Sequence, residues 1–240
     1  MKPSISLVIP AYNEEVLLPR LLRSVRTACD VFAAWSGGSV EVIVADNAST
    51  DRTAEVATEF GCRVVAVERR VIAAARNGGA RVASASIIAF VDADLQIHPN
   101  TFVRIQEEMS SGLYVGGATG WRFERTSMGL KATELATRLF MRVFKVDGGV
   151  VFCSRAALDA ISGYNEAKHV GEDVQLLLDL RRFGKSQGKT VRLNIGADAV
   201  VSTRKWDMHG DWHMFFMLFW PITQRRSMSA AVQDYWYKER

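Results

Sequence analysis

The regular alternation of short apolar runs with helix-like segments constrains the fold of this chain more than any other feature of its sequence. The apolar runs, rich in Val and Ile, occupy residues 5–9, 40–45, 63–67 and 86–91. Segments with helical apolar spacing lie between and after these runs, at residues 14–28, 50–60, 72–83 and 99–110. Such alternation is typical of βαβ units, in which a mostly parallel sheet is buried on both faces. We therefore predict an α/β fold.

The second half of the chain begins with an interruption of this pattern. Gly116, Gly117 and Gly120 break the alternation, and a helix with basic residues around an apolar face is predicted within residues 122–145. Further short elements are then predicted, with strands at 147–153, 191–195 and 199–202 and helices at 156–161 and 173–183. The simplest architecture is a single α/β domain followed by a C-terminal appendage.

The composition narrows the classes of ligand and of cellular location. The chain has 30 Lys and Arg against 26 Asp and Glu among its 240 residues, a net charge of +4. This mild excess favours an anionic ligand and lacks the basic stripe of a nucleic-acid-binding protein, so we expect no nucleic-acid partner. There is no run of 18 apolar residues, the first apolar run ends at Pro10, and the three cysteines lack metal-ligand spacing. We expect a cytoplasmic protein without a signal peptide, with peripheral contact at the inner face of the membrane as an open alternative.

Polar residues follow three of the predicted strands. They are Pro10, Ala11, Tyr12 and Glu14 after the first strand, Asp46 after the second, and Asp92, Ala93 and Asp94 after the fourth. Ligands of open α/β sheets bind beyond the carboxyl ends of the strands. Two carboxylates two residues apart repel each other unless a cation lies between them, and hard oxygen ligands suit Mg²⁺ or Mn²⁺. We predict a cation site at this edge, while Ser49, Thr50 and Asp51 are also typical helix caps.

Arg76 and the Gly78-Gly79 pair lie within an alanine-rich helical segment. Two glycines inside a helix cost about 1 kcal/mol each relative to alanine. They indicate either a helix break or close packing, or else a close approach of phosphates that Arg76 faces. Carboxylates, a divalent metal and an arginine together describe a site for a nucleotide diphosphate.

These motifs resemble those of a known enzyme family. IPAYNEE, DNASTD, ARNGGA and FVDADLQ occur in that order, followed by Gly148-Gly149, by Gly163-Tyr164-Asn165-Glu166 and by Gly171-Glu172-Asp173. Together they resemble family 2 glycosyltransferases with the GT-A fold, over residues 4–205. The resemblance implies a single GT-A domain over residues 1–206, with a nucleotide-sugar-binding half at 1–118 and an acceptor half at 119–206. Residues 207–240 are expected to form a C-terminal aromatic helical extension.

The resemblance also implies roles for individual residues. Those expected to bind the nucleotide sugar are Pro10, Ala11, Tyr12, Glu14, Asp46, Arg76, Asp92, Ala93, Asp94 and Arg204. Asp92 and Asp94 would hold Mg²⁺ or Mn²⁺, with His209 as a third ligand. Asp173, beside Glu172, would be the general base that deprotonates an acceptor hydroxyl, so that the sugar is transferred with inversion. Gln175 replaces an acidic residue that is frequent in the family at this position, and Glu172 and Asp173 would also suit a helix N-terminus.

The C-terminal part keeps several interpretations open. Arg204 and Lys205 are candidates to contact the diphosphate or are a solvated pair, and His209 is a metal ligand or an ordinary surface or core histidine. Residues 214–222 contain four Phe and Trp among nine residues. They suit a core helix, a membrane-surface segment or a homodimer contact.

The function that we predict is transfer of a sugar from a UDP- or GDP-sugar to a sugar, lipid-linked or small-molecule acceptor. A polyprenyl-phosphate acceptor and a non-catalytic nucleotide-sugar-binding module are the alternatives. A sugar-1-phosphate nucleotidylyltransferase is disfavoured, because it would carry a glycine-rich basic loop where this chain has Ala11-Tyr12-Asn13-Glu14. A P-loop and a dinucleotide-binding GxGxxG motif are both missing from the sequence.

Overall fold

A computed structural model of the chain describes residues 2–168 and 171–212, without the side chains of Lys205 and His209. The strands are β1 (Ile5–Ala11), β2 (Val40–Asp46), β3 (Arg63–Ala66), β4 (Ile87–Phe90), β5 (Leu95–Gln96), β6 (Tyr114–Ala118), β7 (Trp121–Phe123), β8 (Val151–Ser154), β9 (Thr190–Leu193) and β10 (Ala199–Val201). The helices are α1 (Leu18–Ser36), α2 (Thr53–Glu59), α3 (Ile72–Val82), α4 (Thr101–Ser110), α5 (Met128–Phe144), α6 (Arg155–Ala160), α7 (Glu172–Ser186) and α8 (Arg204–His209).

The main sheet of the described chain has seven strands in the order β3-β2-β1-β4-β8-β6-β9. The neighbours β3, β2, β1 and β4 run parallel, and so do β6 and β9, whereas β8 runs antiparallel to both β4 and β6. The predicted α/β fold with a mostly parallel sheet is therefore confirmed. The sheet takes strands from both predicted halves of the domain.

Helices cover both faces of this sheet. Apolar residues of α1, α2 and α4 pack on one face, and apolar residues of α3, α6 and α7 pack on the other. Every residue of β1 is buried, as expected for a strand covered on two sides. Because β1, β2 and β4 are parallel and adjacent, their carboxyl ends at Ala11, Asp46 and Phe90 lie at one edge of the sheet.

A small second sheet lies next to this edge, in the order β5-β10-β7. Two of its strands, β5 and β7, are only two and three residues long, and the sequence pattern does not predict them. The ring of Phe123 packs edge-on against Trp121 and Trp206, with centroid distances of 5.1 and 4.8 Å. These three aromatic side chains form a wall beside the strand ends.

The glycine pairs serve close packing. Helix α3 runs through Gly78 and Gly79. Of the interpretations left open for this pair, the helix break is therefore wrong, and close packing is observed. A Cβ atom at Gly79 would lie 2.4 Å from Cγ1 of Val8, and one at Gly78 would lie 2.6 Å from Cγ2 of Val67. The helix thus packs directly on β1 and on the chain beyond β3. Gly117 lies within strand β6, where a Cβ atom would lie 2.1 Å from the carbonyl oxygen of Arg192 on β9.

Several predicted element boundaries are wrong. The predicted helix at 14–28 begins at Leu18 and continues to Ser36. Helix α2 begins at Thr53, and the side chain of the N-cap residue, Arg52, makes no capping hydrogen bond. Ser49 does not cap it and instead accepts a hydrogen bond from the backbone N–H of Asn13 (3.1 Å).

The last part of the chain holds one described helix, α8, which ends at His209. The predicted aromatic segment at 214–222, and most of the predicted extension, lie outside the described residues. Within residues 2–168 and 171–212, no helix combines the length and the apolar character that crossing a membrane requires.

Candidate active site

The loops after β1 and β2 are joined by hydrogen bonds between polar side chains and backbone. Glu14 is buried, and its N–H donates to Oγ1 of Thr53 (2.8 Å). The carboxylate of Asp46, at the end of β2, accepts from the N–H of Ser49 (3.1 Å). Ala11 is the partner of Asp46 in the parallel pairing of β1 with β2, so the predicted donor-binding residues at these two strand ends lie next to each other. They are Pro10, Ala11, Tyr12, Glu14 and Asp46.

Arg76 on α3 stands at the centre of a cluster of carboxylates, and its side chain is only 3% exposed. Its guanidinium donates to Asp92 Oδ1 (2.6 Å) and to Glu172 Oε1 (2.8 Å), and it lies 2.8 Å from Asp173 Oδ1. Burial opposes the charge of Arg76, but the facing carboxylates hold its pKa well above its usual value. The cluster joins the end of β4 to the start of α7, two regions that lie far apart in the sequence.

Asp173 is held from a second side by Tyr164. The phenolic O–H of Tyr164 donates to Asp173 Oδ1 (2.8 Å), and its ring lies 5.0 Å from the guanidinium carbon of Arg76. Burial raises the pKa of Asp173 from 3.8 to about 6, against the opposing effect of Arg76. A carboxylate with such a pKa accepts a proton more readily near neutral pH than an ordinary aspartate does.

A cavity of about 280 Å³ opens in front of these groups. Its charged lining residues are Asp92, Asp94, Asp173 and Arg204, Ser202 lies beside them, and its aromatic wall is formed by Trp121, Phe123 and Trp206. Three residues on the inner face of α5 also line the cavity, and they are Thr133, Thr137 and Met141. The structure thus brings the predicted base, the two predicted metal-binding carboxylates and Arg204 to one cavity.

The predicted metal ligands fit a hard cation by their chemistry. Arg76 donates to one carboxylate oxygen of Asp92, which leaves the second oxygen for a cation, and Asp94 lines the same cavity. In the described part of the chain, no group of three or more His, Cys, Asp or Glu side chains is arranged to hold a metal. The side chain of His209 lies outside the described residues. The three-residue ligand set therefore stays a prediction.

Several residues of the site are not predicted from the sequence. Tyr164 lies inside a motif that carries the family resemblance, but nothing in that motif indicates its bond to Asp173. Thr133 and Thr137 are four residues apart on a helix, a spacing that puts both on one face. That spacing is the signal that identifies the cavity side of α5.

Comparison with known proteins gives the family. The model of the family described as "Glycosyl transferase family 2" matches residues 6–157, which is more than half of the chain. The chain belongs to glycosyl transferase family 2. The family resemblance is thereby confirmed, and the matched range includes the carboxyl ends of β1 to β4. The motifs at residues 163–166 and 171–173 lie beyond the matched range.

Curated relatives align with only part of this family 2 chain. An undecaprenyl-phosphate 4-deoxy-4-formamido-L-arabinose transferase of Pseudomonas paraeruginosa is 36% identical over 121 residues, which cover 48% of this chain and 34% of that protein. The protein of the same name from Klebsiella pneumoniae is 33% identical over 150 residues, which cover 58% of this chain and 43% of that protein. The chain thus spans less than half the length of these two relatives.

Solved structures confirm the GT-A fold. S. aureus TarS 1–349 in complex with UDP-GlcNAc superposes with a TM-score of 0.64 at 18% identity, covering 84% of this chain and 59% of that one. Glucosyl-3-phosphoglycerate synthase of Mycobacterium tuberculosis, in complex with Mn²⁺, UDP and phosphoglyceric acid, superposes with a TM-score of 0.62 at 24% identity. That match covers 94% of this chain and 80% of the other.

Proposed function

We propose that this chain transfers a sugar from a nucleotide-diphospho-sugar to an acceptor hydroxyl, with inversion and with Asp173 as the general base. One observation carries the proposal. Asp173 has a pKa raised to about 6 and faces the same cavity as Asp92 and Asp94, which follow a donor-side strand. A base and a cation-binding pair that face the same cavity suit displacement at an anomeric carbon.

The donor would bind at the carboxyl ends of β1, β2 and β4. Support comes from the family and from the ligands named for the similar structures, which are UDP-GlcNAc for TarS and Mn²⁺ with UDP for the mycobacterial synthase. Asp94 and Asp92 would hold Mg²⁺ or Mn²⁺, with His209 as the proposed third ligand. A bound cation would supply charge neutralisation for the leaving diphosphate. Arg204 lines the cavity and is the proposed side-chain contact to the phosphates.

Arg76 has a different local role from the other proposed donor-binding residues. Its guanidinium is taken by Asp92, Glu172 and Asp173. We infer that it orients the base and one metal-binding carboxylate. A direct contact to the nucleotide remains a separate prediction for this residue.

A polyprenyl phosphate is the second candidate acceptor. The names of the curated relatives favour it, and so does the aromatic wall of the cavity formed by Trp121, Phe123 and Trp206. A phosphate oxygen is already ionised at neutral pH and needs no base, whereas a hydroxyl does. The two acceptors therefore differ in their dependence on Asp173.

Thermal shift with UDP-, GDP- and dTDP-sugars in Mn²⁺, followed by nucleotide release with each acceptor class, tests the proposal. A donor at 100 times its Kd stabilises the fold by about 2.7 kcal/mol. We expect Asp94→Ala to abolish the metal-dependent shift. Asp173→Asn should keep that shift and reduce transfer to a hydroxyl by about 10²-fold or more.

Asp207→Asn is the matched control, since Asp207 also pairs with an arginine but lies outside the residues that line the cavity. Transfer to a hydroxyl by Asp173→Asn at the wild-type rate would overturn the base assignment. Retained transfer to a polyprenyl phosphate alone would establish the second candidate. A donor-induced shift without transfer to any acceptor would favour a nucleotide-sugar-binding module.

A further inference from the structure

Helix α5 exposes a line of large apolar side chains. Leu135, Leu139 and Val143 are 72, 63 and 67% exposed, and Met128 continues the line at the start of the helix. Spacings of seven, four and four residues put these four side chains on one face, which we call the α5 stripe. The opposite face is buried through Gly129, Leu130 and Thr133. The stripe is therefore an apolar surface on a helix that is already anchored to the protein.

Basic residues flank the α5 stripe. Arg138 and Arg142 directly precede Leu139 and Val143. Lys131 lies one turn before Leu135, near one end of the stripe, and Lys145 follows the last turn. Glu134 is the one acidic residue of the helix, and it pairs with Arg138 (2.8 Å). A helix that is apolar along one line and cationic beside it matches the boundary between acyl chains and anionic headgroups.

We propose that α5 docks this protein on an anionic lipid bilayer, with the α5 stripe at the headgroup–acyl boundary and Lys131 and Arg142 toward lipid phosphates. The helix would lie along the membrane surface and would not cross it. Long basic side chains suit this position, because their stems lie along apolar surface while their charged ends stay at the phosphates.

Charge complementarity favours a bilayer over two other occupants of the stripe. A second copy of α5 would bring the same cations against Lys131 and Arg142. Residues 213–240 also carry an excess of positive charge, with four Lys and Arg against two Asp and Glu in the sequence. Neither occupant carries the excess of negative charge that would complement the basic residues beside the stripe, whereas an anionic bilayer does.

Helix α5 connects the proposed docking surface to the cavity. Thr133, Thr137 and Met141 line the cavity from the inner face of the helix whose outer face carries the stripe. A docked α5 would hold the cavity next to the lipid surface. The proposal itself rests on the surface of α5 and does not depend on the transfer chemistry.

Vesicle flotation with the full chain tests the docking. We expect the wild type to bind phosphatidylcholine vesicles that contain about 30% phosphatidylglycerol, and to bind pure phosphatidylcholine more weakly. The triple variant Leu135→Gln, Leu139→Gln, Val143→Gln should lower the partition coefficient by about tenfold or more. Lys131→Gln with Arg142→Gln should lower it by about fivefold per cation on the anionic vesicles only.

The matched control replaces apolar residues that are equally exposed elsewhere, Val16 and Leu113, by Gln. It should bind like the wild type. Wild-type failure to float with anionic vesicles, or unchanged flotation of the triple variant, would overturn the proposal. A wild-type dimer that the triple variant converts to a monomer, with vesicle binding unaltered, would identify the stripe as a self-association surface. Urea unfolding of each variant checks that it is folded. If the triple variant is unstable, the variant with Lys131→Gln and Arg142→Gln still tests the proposal.

Discussion

Two arginines of this protein are each held by a group of carboxylates, in very different surroundings. Arg76 is 3% exposed and contacts Asp92, Glu172 and Asp173. Arg125 is 38% exposed and contacts Asp207 and Asp211 (both 2.6 Å). The distances in the two clusters are nearly the same. The difference lies in the burial of the two arginines.

The pKa values of the two partner aspartates move in opposite directions, although each lies beside an arginine. Hydrogen bonds from Arg125 lower the pKa of Asp211 to about 2, whereas burial raises the pKa of Asp173 to about 6 although Arg76 lies beside it. A buried ion pair is costly, because desolvation of the charges offsets their attraction. We infer that the exposed cluster fastens α8 near the start of α5, and that the buried cluster keeps a carboxylate ready to take up a proton.

The largest expected effect is a loss of stability on replacing Arg76 that exceeds the loss on replacing Arg125. Arg76→Met removes the cation from three carboxylates and should lower the free energy of unfolding at pH 8 by about 3 kcal/mol. The loss should shrink toward pH 5, because the carboxylates then take up protons. Urea unfolding measures both values. Arg125→Met is the control, and an equal change in the two variants would show that burial does not distinguish the clusters.

The second expected effect is a pH dependence of transfer. The base must be deprotonated, so kcat/KM for a hydroxyl acceptor should fall about tenfold per pH unit below about 6. An ordinary aspartate would keep the rate constant down to pH near 4. Steady-state kinetics between pH 4.5 and 8 measure the profile. Asp207→Asn should show the same fall of kcat/KM on the acid side of the profile. A flat profile down to pH 5 would refute the raised pKa.

Tyr164→Phe should have a smaller effect. The hydrogen bond from Tyr164 lowers the pKa of Asp173, so its loss should move the acid limb to higher pH. A single hydrogen bond to a charged group contributes about 1.5–3 kcal/mol, and we expect the rate at pH 7 to fall by about tenfold, at the low end of that range. Steady-state kinetics measure the pH profile and the rate, and the thermal shift with donor measures donor binding. Tyr114→Phe is the control, and a reduced donor shift would contradict a pure positioning role.

The smallest expected effect concerns salt. Arg125→Gln should shift the urea midpoint slightly at low salt, and the shift should vanish at about 1 M NaCl because exposed pairs are screened. The effect of Arg76→Met should persist under the same conditions. Salt sensitivity of the Arg76 variant equal to that of the Arg125 variant would show that the buried cluster is open to solvent.

The sequence predicts the strand ends well because the signal is local. An apolar run that stops at Asp46 or Asp92 locates both the strand and the polar residue that follows it. The cluster around Arg76 is different, since Glu172 lies 96 residues away along the chain. No spacing rule joins residues at that distance. The family resemblance indicates the importance of Glu172 and Asp173, but it does not indicate that they meet Arg76.

Glycines mislead the prediction for a physical reason. Sequence rules treat Gly117 as an interruption, because glycine lacks intrinsic preference for a strand. In the fold its missing side chain is what lets β6 lie against the backbone of Arg192. Strands β5 and β7 escape prediction because two or three residues are too few to show a period of two.

The place of β8 between β4 and β6 has a consequence for biosynthesis. Strand β4 pairs on one side with β8, and the partner of Phe90 is Val151. At about 5–20 residues per second, a ribosome needs roughly 3–12 s to add the intervening stretch. During that interval the nascent chain carries β4, all of whose residues are buried in the finished fold, as an unpaired apolar edge. Such an edge is a template for aggregation, so we expect the yield of folded protein to depend on chaperones that shield nascent chains.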